Sequence, residues 1–263
     1  MVGAVPGRDL VLLHGFTQTG ASWDPVVRAL RERYRAVAPD LRGHGSAGDV
    51  RPVDIAGVLR DLEALLPEAA AVLAGYSMGG RIALHYALAR PARVRRLVLV
   101  GASPGLQDEA ERCVRREADA VLADRIEAIG IEAFAREWGS QTLFAGQAPV
   151  VVAASRADRL RNSAAGLAAA LRGLGTGTLA PLWGRLEELD VPVTLVVGER
   201  DVKFRAIAAR MAAGFPDARV VVVPGAGHAA QLERPEAVAR AIAQDRSGPG
   251  VLEAGAPPLV PKY

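Results

Sequence analysis

The chain has 263 residues, half of them hydrophobic, and a formal charge of only +3, which fits one large domain, or one domain with an insertion, built on Ala, Val and Leu. Its positive charge is scattered arginine, with no basic periodic face and no interleaved aromatics, so nucleic acid is not an expected partner. The single cysteine, Cys113, excludes an internal disulfide framework and a Cys-based zinc site, and neither a signal segment nor an apolar run of about eighteen residues is present, so a soluble, cytoplasmic protein is expected.

Asp9 to Leu13 reads as a short strand running into His14-Gly15-Phe16, with Thr17 to Gly20 as a polar loop. Trp23, Val26, Val27 and Leu30 recur at helical spacing, and Tyr34 to Ala38 is a second strand stopped by Pro39. The stretch Pro39 to Ser46 is a loop of turn residues, in which Asp40 and His44 read as structural rather than catalytic. Val53 to Leu66 is an amphipathic helix, and Ala70 to Ala74 is a strand feeding Gly75-Tyr76-Ser77-Met78-Gly79-Gly80. A helical sequence follows at once, from Arg81 to Ala89. Strand, Gly-x-Ser-x-Gly, helix is the pattern of a nucleophile elbow, which presents a serine hydroxyl above a sheet. Val94 to Val100 is the fourth strand.

This alternation of strand and helix implies a parallel sheet with helices on both faces. It then breaks, because no convincing strand lies between Gly101 and about Leu189. Ala110, Cys113, Val114, Ala118, Val121, Leu122, Ile126 and Ile129 mark an apolar helical face, which would make Cys113 a buried thiol. Phe134 and Trp138 follow, then helices over Val150 to Leu160 and Ala164 to Leu171. A wholly helical insertion of this size reads as a lid over the carboxyl edge of the sheet. The sheet resumes with Pro192 to Val197, ending in Gly198-Glu199-Arg200-Asp201. A helix over Phe204 to Ala213, a strand over Arg219 to Val223, the loop Pro224 to His228 and a helix over Pro235 to Gln244 complete it. The expected division is a core over 1–103, a lid over 104–190, the rest of the core over 191–245, and a disordered tail over 246–263.

Ser77, Asp201 and His228 each follow a strand at the same edge of this sheet, where parallel folds bind ligands. Asp190 precedes its strand and stands at the wrong edge. The chain order Ser, Asp, His is that of the α/β-hydrolase fold. In that arrangement His228 takes the serine proton, Asp201 fixes the tautomer, and the backbone N–H groups of Phe16 and Met78 form an oxyanion hole. The His14 imidazole reads as a loop group bonded to backbone, and His85 as a packed side chain.

Several stretches resemble the 2-succinyl-6-hydroxy-2,4-cyclohexadiene-1-carboxylate synthase family, the α/β-hydrolase-fold lyases of menaquinone biosynthesis. They include Leu13 to Thr17, Gly75 to Arg81, Ala102 to Leu106, Glu111 to Asp119, Phe134 to Trp138, Arg161-Asn162-Ser163 and Gly198 to Phe204. The resemblance runs from about Leu10 to about Gln244, lid included, with Thr142 standing where the family usually has proline. It implies that Ser77 acts as a base on a carbon-bound proton and that pyruvate is eliminated from a polycarboxylate. Anionic groups of that kind call for guanidinium partners. Arg81 lies one turn into the elbow helix, and Arg115 and Arg161 fall within the resembling lid stretches, although Arg112 and Arg116 are close enough to Arg115 to take its place. Gln107, Trp138 and Tyr76 are the further expected substrate contacts, Trp138 being equally readable as a buried lid aromatic.

The triad alone would serve an esterase or a carbon–carbon bond hydrolase with Ser77 as nucleophile. A catalytically silent binding module would normally have lost a triad member, and a dehalogenase would carry Asp in place of Ser77. No dinucleotide-type phosphate loop and no metal-ligand spacing is present, so no cofactor and no metal is expected. The expected partner is a small polycarboxylate, with no membrane insertion; the pattern carries no signature of oligomeric state.

Overall fold

The computed structural model describes residues 8–244; the expected tail over 246–263 lies outside them. Six strands form one sheet in the order β2-β1-β3-β4-β5-β6. They are β1 (Arg8–Leu13), β2 (Tyr34–Val37), β3 (Ala71–Tyr76), β4 (Val94–Val100), β5 (Val193–Gly198) and β6 (Ala218–Val223). Every neighbouring pair is parallel, as the sequence predicts. β3 and β5 are buried along their whole length, which is why they read as continuous apolar runs rather than alternating ones.

Helices α1 (Asp24–Leu30) and α9 (Pro235–Ala243) cover one face of the sheet, and α2 (Ile55–Leu65), α3 (Met78–Ala89) and α7 (Val202–Ala212) cover the other. Leu10, Leu12, Val72, Ala74, Val98 and Val100 point toward α1 and α9, while Val11, Leu13, Leu73, Leu97 and Leu99 point toward α2 and α3. This is the period-two alternation of strands with both faces packed. The chain runs from β1 outward to β2 and then returns across β1 to β3. The strand order therefore reverses between β1 and β3, and the carboxyl ends of those two strands open a crevice. Their register pairs Leu13 with Gly75, so the residues just beyond, Phe16 and Ser77, emerge side by side.

The segment between β4 and β5 is helical throughout: α4 (Glu109–Gly139), α5 (Pro149–Arg159) and α6 (Ala164–Leu174), with short 3-10 turns between them. α4 is two helices in one, broken at Gly130, whose φ of 76° and ψ of 168° lie outside helical space. This insertion has its own small core of Ala123, Ile126, Phe134, Leu167, Ala168 and Leu171, against which Phe16 and Trp138 pack. The expected apolar face of α4 is only partly right. Ile126 is buried, but Val114 and Val121 are 67% and 69% exposed, and Cys113 is exposed too, so it is not a buried thiol. The first half of α4 turns only a narrow stripe inward, centred on Asp119 and Ala123. No helix among the described residues is long and apolar enough to cross a membrane.

Candidate active site

Ser77 sits between the last residue of β3 and the first of α3 with φ 50° and ψ −109°, a conformation that non-glycine residues rarely hold. Close packing enforces it. A Cβ on Gly79 would lie 2.3 Å from the Leu13 carbonyl oxygen and 2.4 Å from that of His14, and one on Gly75 would lie 2.4 Å from the Gly79 carbonyl oxygen. The glycines thus let the start of α3 approach β1 and β3 more closely than any side chain permits. Strain at a single serine, held by its surroundings, is a feature of functional sites.

His228 follows β6 and precedes the short helix α8 (Ala230–Glu233). Its Nδ1 is 2.6 Å from Asp201 Oδ2, and its Nε2 is 3.3 Å from Ser77 Oγ. A carboxylate accepts, so Nδ1 carries the proton and Nε2 is left free to accept from the serine hydroxyl. Asp201 is itself anchored, because its other oxygen accepts from the Phe204 N–H and caps α7. The imidazole is buried between the rings of Tyr76 and Phe204, with centroids 5.3 and 4.4 Å away. Orientation of this ring is therefore set by packing as well as by hydrogen bonds.

Met78 is the first residue of α3, so its N–H is one of those the helix leaves without an internal partner. Phe16 lies in a loop tied at several points. The Gln18 N–H donates to the Gly15 carbonyl at 3.1 Å, and Asn162 Nδ2 donates to the Thr17 carbonyl at 3.0 Å. His14 has the structural role expected of it. Its Nε2 accepts from the Leu41 N–H at 2.9 Å, which leaves Nδ1 to donate to the Gly15 carbonyl at 2.9 Å. Burial holds its pKa down to about 4. Asp40 accepts from Gly20 and Ser46, and His44 is buried beside His14; both are loop scaffolding.

Ser77 and His228 open into a cavity of about 710 Å³ between the sheet edge and the insertion. Arg81, Arg115, Gln107 and Trp138 line it. Arg81 is buried, donates from Nη2 to the Leu174 carbonyl at 3.3 Å, and leaves Nε without a partner. Burial, and then the charge of Arg115, lower its pKa to about 10. Arg115 bonds Asp119 through Nε at 2.8 Å. Arg112 and Arg116 instead pair with Glu109 and do not line the cavity, which separates the three neighbouring arginines. The Trp138 ring is 5.2 Å from that of Phe16.

Two expected contacts are placed elsewhere. Arg161 does not reach this cavity: its side chain is 65% exposed and stands 3.8 Å from Asp158. α5 ends at Arg159, and Arg161 follows in the turn beyond it. Arg159, two positions earlier, is the buried arginine of this stretch, with its guanidinium 5.3 Å from the Phe144 ring centroid and no ion pair among the described residues, and it does not line the cavity either. Tyr76 is buried against His228 and does not line the cavity, since its place in β3 directs it away from the opening. Sequence reasoning also gave α7 no part in the cavity wall. Lys203, Ile207 and Arg210 line it, and their spacing of four and three residues is the signal that marks one helical face.

Residues 10–241 match the alpha/beta hydrolase family. The chain is 37% identical to a Bacillus subtilis protein provisionally named 2-succinyl-6-hydroxy-2,4-cyclohexadiene-1-carboxylate synthase, over 92% of this chain and 91% of that one. It is 36% identical to the synthase of that name from Klebsiella pneumoniae, over 89% and 92% of the two chains. The solved structure of MenH from S. aureus is similar across 92% of this chain and 94% of that one, with a TM-score of 0.87 and 31% identity.

Proposed function

With the chain belonging to the alpha/beta hydrolase family and, within it, to the 2-succinyl-6-hydroxy-2,4-cyclohexadiene-1-carboxylate synthases, we propose that Ser77, His228 and Asp201 are the base of this lyase. The reaction is loss of pyruvate from 2-succinyl-5-enolpyruvyl-6-hydroxy-3-cyclohexene-1-carboxylate in menaquinone biosynthesis. The change from a 3-ene to a 2,4-diene fixes the bonds involved. The C2 proton, made acidic by the succinyl ketone, is removed; its electron pair becomes the C2=C3 bond, the old C3=C4 pair moves to C4=C5, and the C5–O bond breaks.

Ser77 gives its proton to His228 Nε2 and takes the C2 proton in exchange. Asp201 holds the resulting imidazolium. As C2 loses its proton, negative charge develops on the succinyl ketone oxygen, and the N–H groups of Phe16 and Met78 are the donors assigned to it. The proton on His228 then passes to the departing enolpyruvate, which leaves as pyruvate, so protons balance and no cofactor is consumed. The 104–190 insertion acts as the lid that covers this chemistry. Arg81 and Arg115, which line the cavity, face the substrate carboxylates, and Trp138 and Phe16 form an apolar wall for the ring. A cytoplasmic setting is part of this proposal, supported by the bacterial biosynthetic relatives.

One observation carries this reading: the hydrogen-bonded chain from Ser77 to Asp201 opens into a cavity walled by arginines. The test follows pyruvate release and diene absorbance on freshly generated substrate, with a nitrophenyl ester in a parallel tube. Rapid pyruvate release with little ester cleavage is expected, and Ser77→Ala is expected to lower turnover by roughly 10³-fold or more while product still binds. Ester cleavage without pyruvate release would move the protein to the hydrolases.

A further inference from the structure

The proposed elimination fixes where the substrate's charges lie relative to Ser77. C2, which loses its proton, and C5, which loses the enolpyruvyl oxygen, face each other across a six-membered ring. The C1 carboxylate and the C2 succinyl arm therefore belong to the Ser77 side. The enolpyruvyl carboxylate belongs to the opposite side, and only the substrate carries it, because the cyclic product has lost it.

Two of the cavity's arginines are divided in the same way. Arg81 follows Ser77 by one helical turn and is buried. Arg210 stands nine residues beyond Asp201 on α7, about 13 Å further along the helix at 1.5 Å per residue, and is exposed at the cavity rim. Its guanidinium is nonetheless held. The central carbon is 3.9 Å from the centroid of the Trp183 ring, Nη2 donates to Gln107 Oε1, and Trp183 Nε1 donates to the Gly105 carbonyl at 2.9 Å. Trp183 and Gln107 line the same cavity. No carboxylate pairs with Arg210 among the described residues. A stacked guanidinium with fixed orientation and no counter-ion has its remaining N–H donors available for a planar anion.

We propose that Arg210, held by Trp183 and Gln107, binds the carboxylate of the enolpyruvyl leaving group. The assignment rests on the lyase reading above and extends it from the reacting bond to the group that departs. It also gives Gln107 a role different from direct substrate contact through its carbonyl oxygen, which Arg210 already occupies.

Because the cyclic product lacks this carboxylate, substrate and product respond differently to loss of Arg210. The experiment compares wild type, Arg210→Gln and Arg210→Lys, measuring KM for the substrate by pyruvate release and Ki for the cyclic product as a competitive inhibitor. Arg210→Gln is expected to raise KM roughly tenfold, the size of one charge-assisted hydrogen bond at a partly exposed site. Ki for the product is expected to stay within about twofold of wild type, which also shows that the site has folded. Arg210→Lys, which keeps the charge but not the planar fork, is expected to fall between the two. Equal rises in KM and Ki would overturn the assignment, since Arg210 would then serve a group the product retains. Unchanged KM would overturn it as well. Failure of the wild type to release pyruvate would instead strike the lyase reading itself, and this assignment with it.

Discussion

Asn162→Ala tests how far the insertion governs the chemistry beneath it. Asn162 is buried just past α5, with Nδ2 donating to the Thr17 and Arg159 carbonyls and Oδ1 accepting from the Gly45 N–H, each at 3.0 Å. Thr17, next to Phe16, holds a φ of 69°, which costs a β-branched residue about 1–3 kcal/mol and persists only when its surroundings impose it. Alanine would remove all three bonds and strand the Thr17 carbonyl and the Gly45 N–H. At about 1–3 kcal/mol for each stranded group, less what water recovers, the loss is about 3 kcal/mol. For a domain of this size that lowers Tm by roughly 6–12 °C. The kinetic effect is separate. Complete loss of one oxyanion donor costs about 10²–10³-fold in kcat, so a Phe16 N–H that is loosened rather than removed is expected to cost roughly tenfold, with KM little changed. Pyruvate release at 25 °C, where the variant is still folded, and a thermal melt read the two effects independently. A variant with the lower Tm and an unchanged kcat would show that Thr17 is held without Asn162, and would refute the link.

Gly79→Ala places a Cβ 2.3 Å from the Leu13 carbonyl oxygen, whereas Gly184 has nothing within 4 Å of its Cβ position. Gly79→Ala is therefore expected to cost at least about 3 kcal/mol of stability and most of the activity, and Gly184→Ala neither, when melts and pyruvate release are compared; similar behaviour of the pair would contradict the close-approach argument. The pH dependence follows from buried imidazoles. Burial depresses His14 to about 4 and His44 to about 3, with the charge of His14 adding to the second. Both lie below the ordinary histidine value near 6.5, so from there down to about 4 the unfolded chain binds more protons than the folded one. Their contribution is fully present above about pH 6.5 and falls as pH drops, by on the order of 2 kcal/mol for each at pH 5. A Tm that stays flat between pH 7 and pH 5 would show that these rings titrate normally.

The sheet was legible because βα alternation leaves strands buried on both faces, and a run such as Val72 to Ala74 has no other use. Ser77, Asp201 and His228 were legible because strand ends of a parallel sheet share one edge, so three residues far apart in sequence become neighbours by topology alone. The insertion obeys no such constraint. Its helices pack by narrow stripes, and each residue turns the direction of a helix by about 100°. That geometry left Cys113, Val114 and Val121 on the outer side of α4 while a charged residue, Asp119, took the inner one. Past the end of α5 the helical period no longer applies, and two positions separate the exposed Arg161, in the turn that follows, from the buried Arg159. Tyr76 was misplaced for a simpler reason. Adjacency to Ser77 in sequence does not give adjacency in the cavity, because Tyr76 ends β3 with its ring packed beside that of His228, whereas Ser77 turns out of the strand toward α3.

A triad of this kind does not decide between hydrolysis and elimination; the charge around it does. Arg81 and Arg159 are both buried, both leave a guanidinium N–H without a partner, and both have pKa values lowered chiefly by burial. An unpaired buried cation costs stability, and neither closes an ion pair among the described residues. A neutral ester would offer them nothing. On the proposed function, a substrate with three carboxylates would supply the missing counter-ion of Arg81, which lines the cavity, so that part of the destabilisation carried by the site would be relieved on binding. On the proposed function the arginines would select the substrate, and Ser77 would meet a carbon acid held so that its C2 proton, rather than any carbonyl carbon, faces the hydroxyl. On that arrangement the same serine that would attack an ester serves as a base.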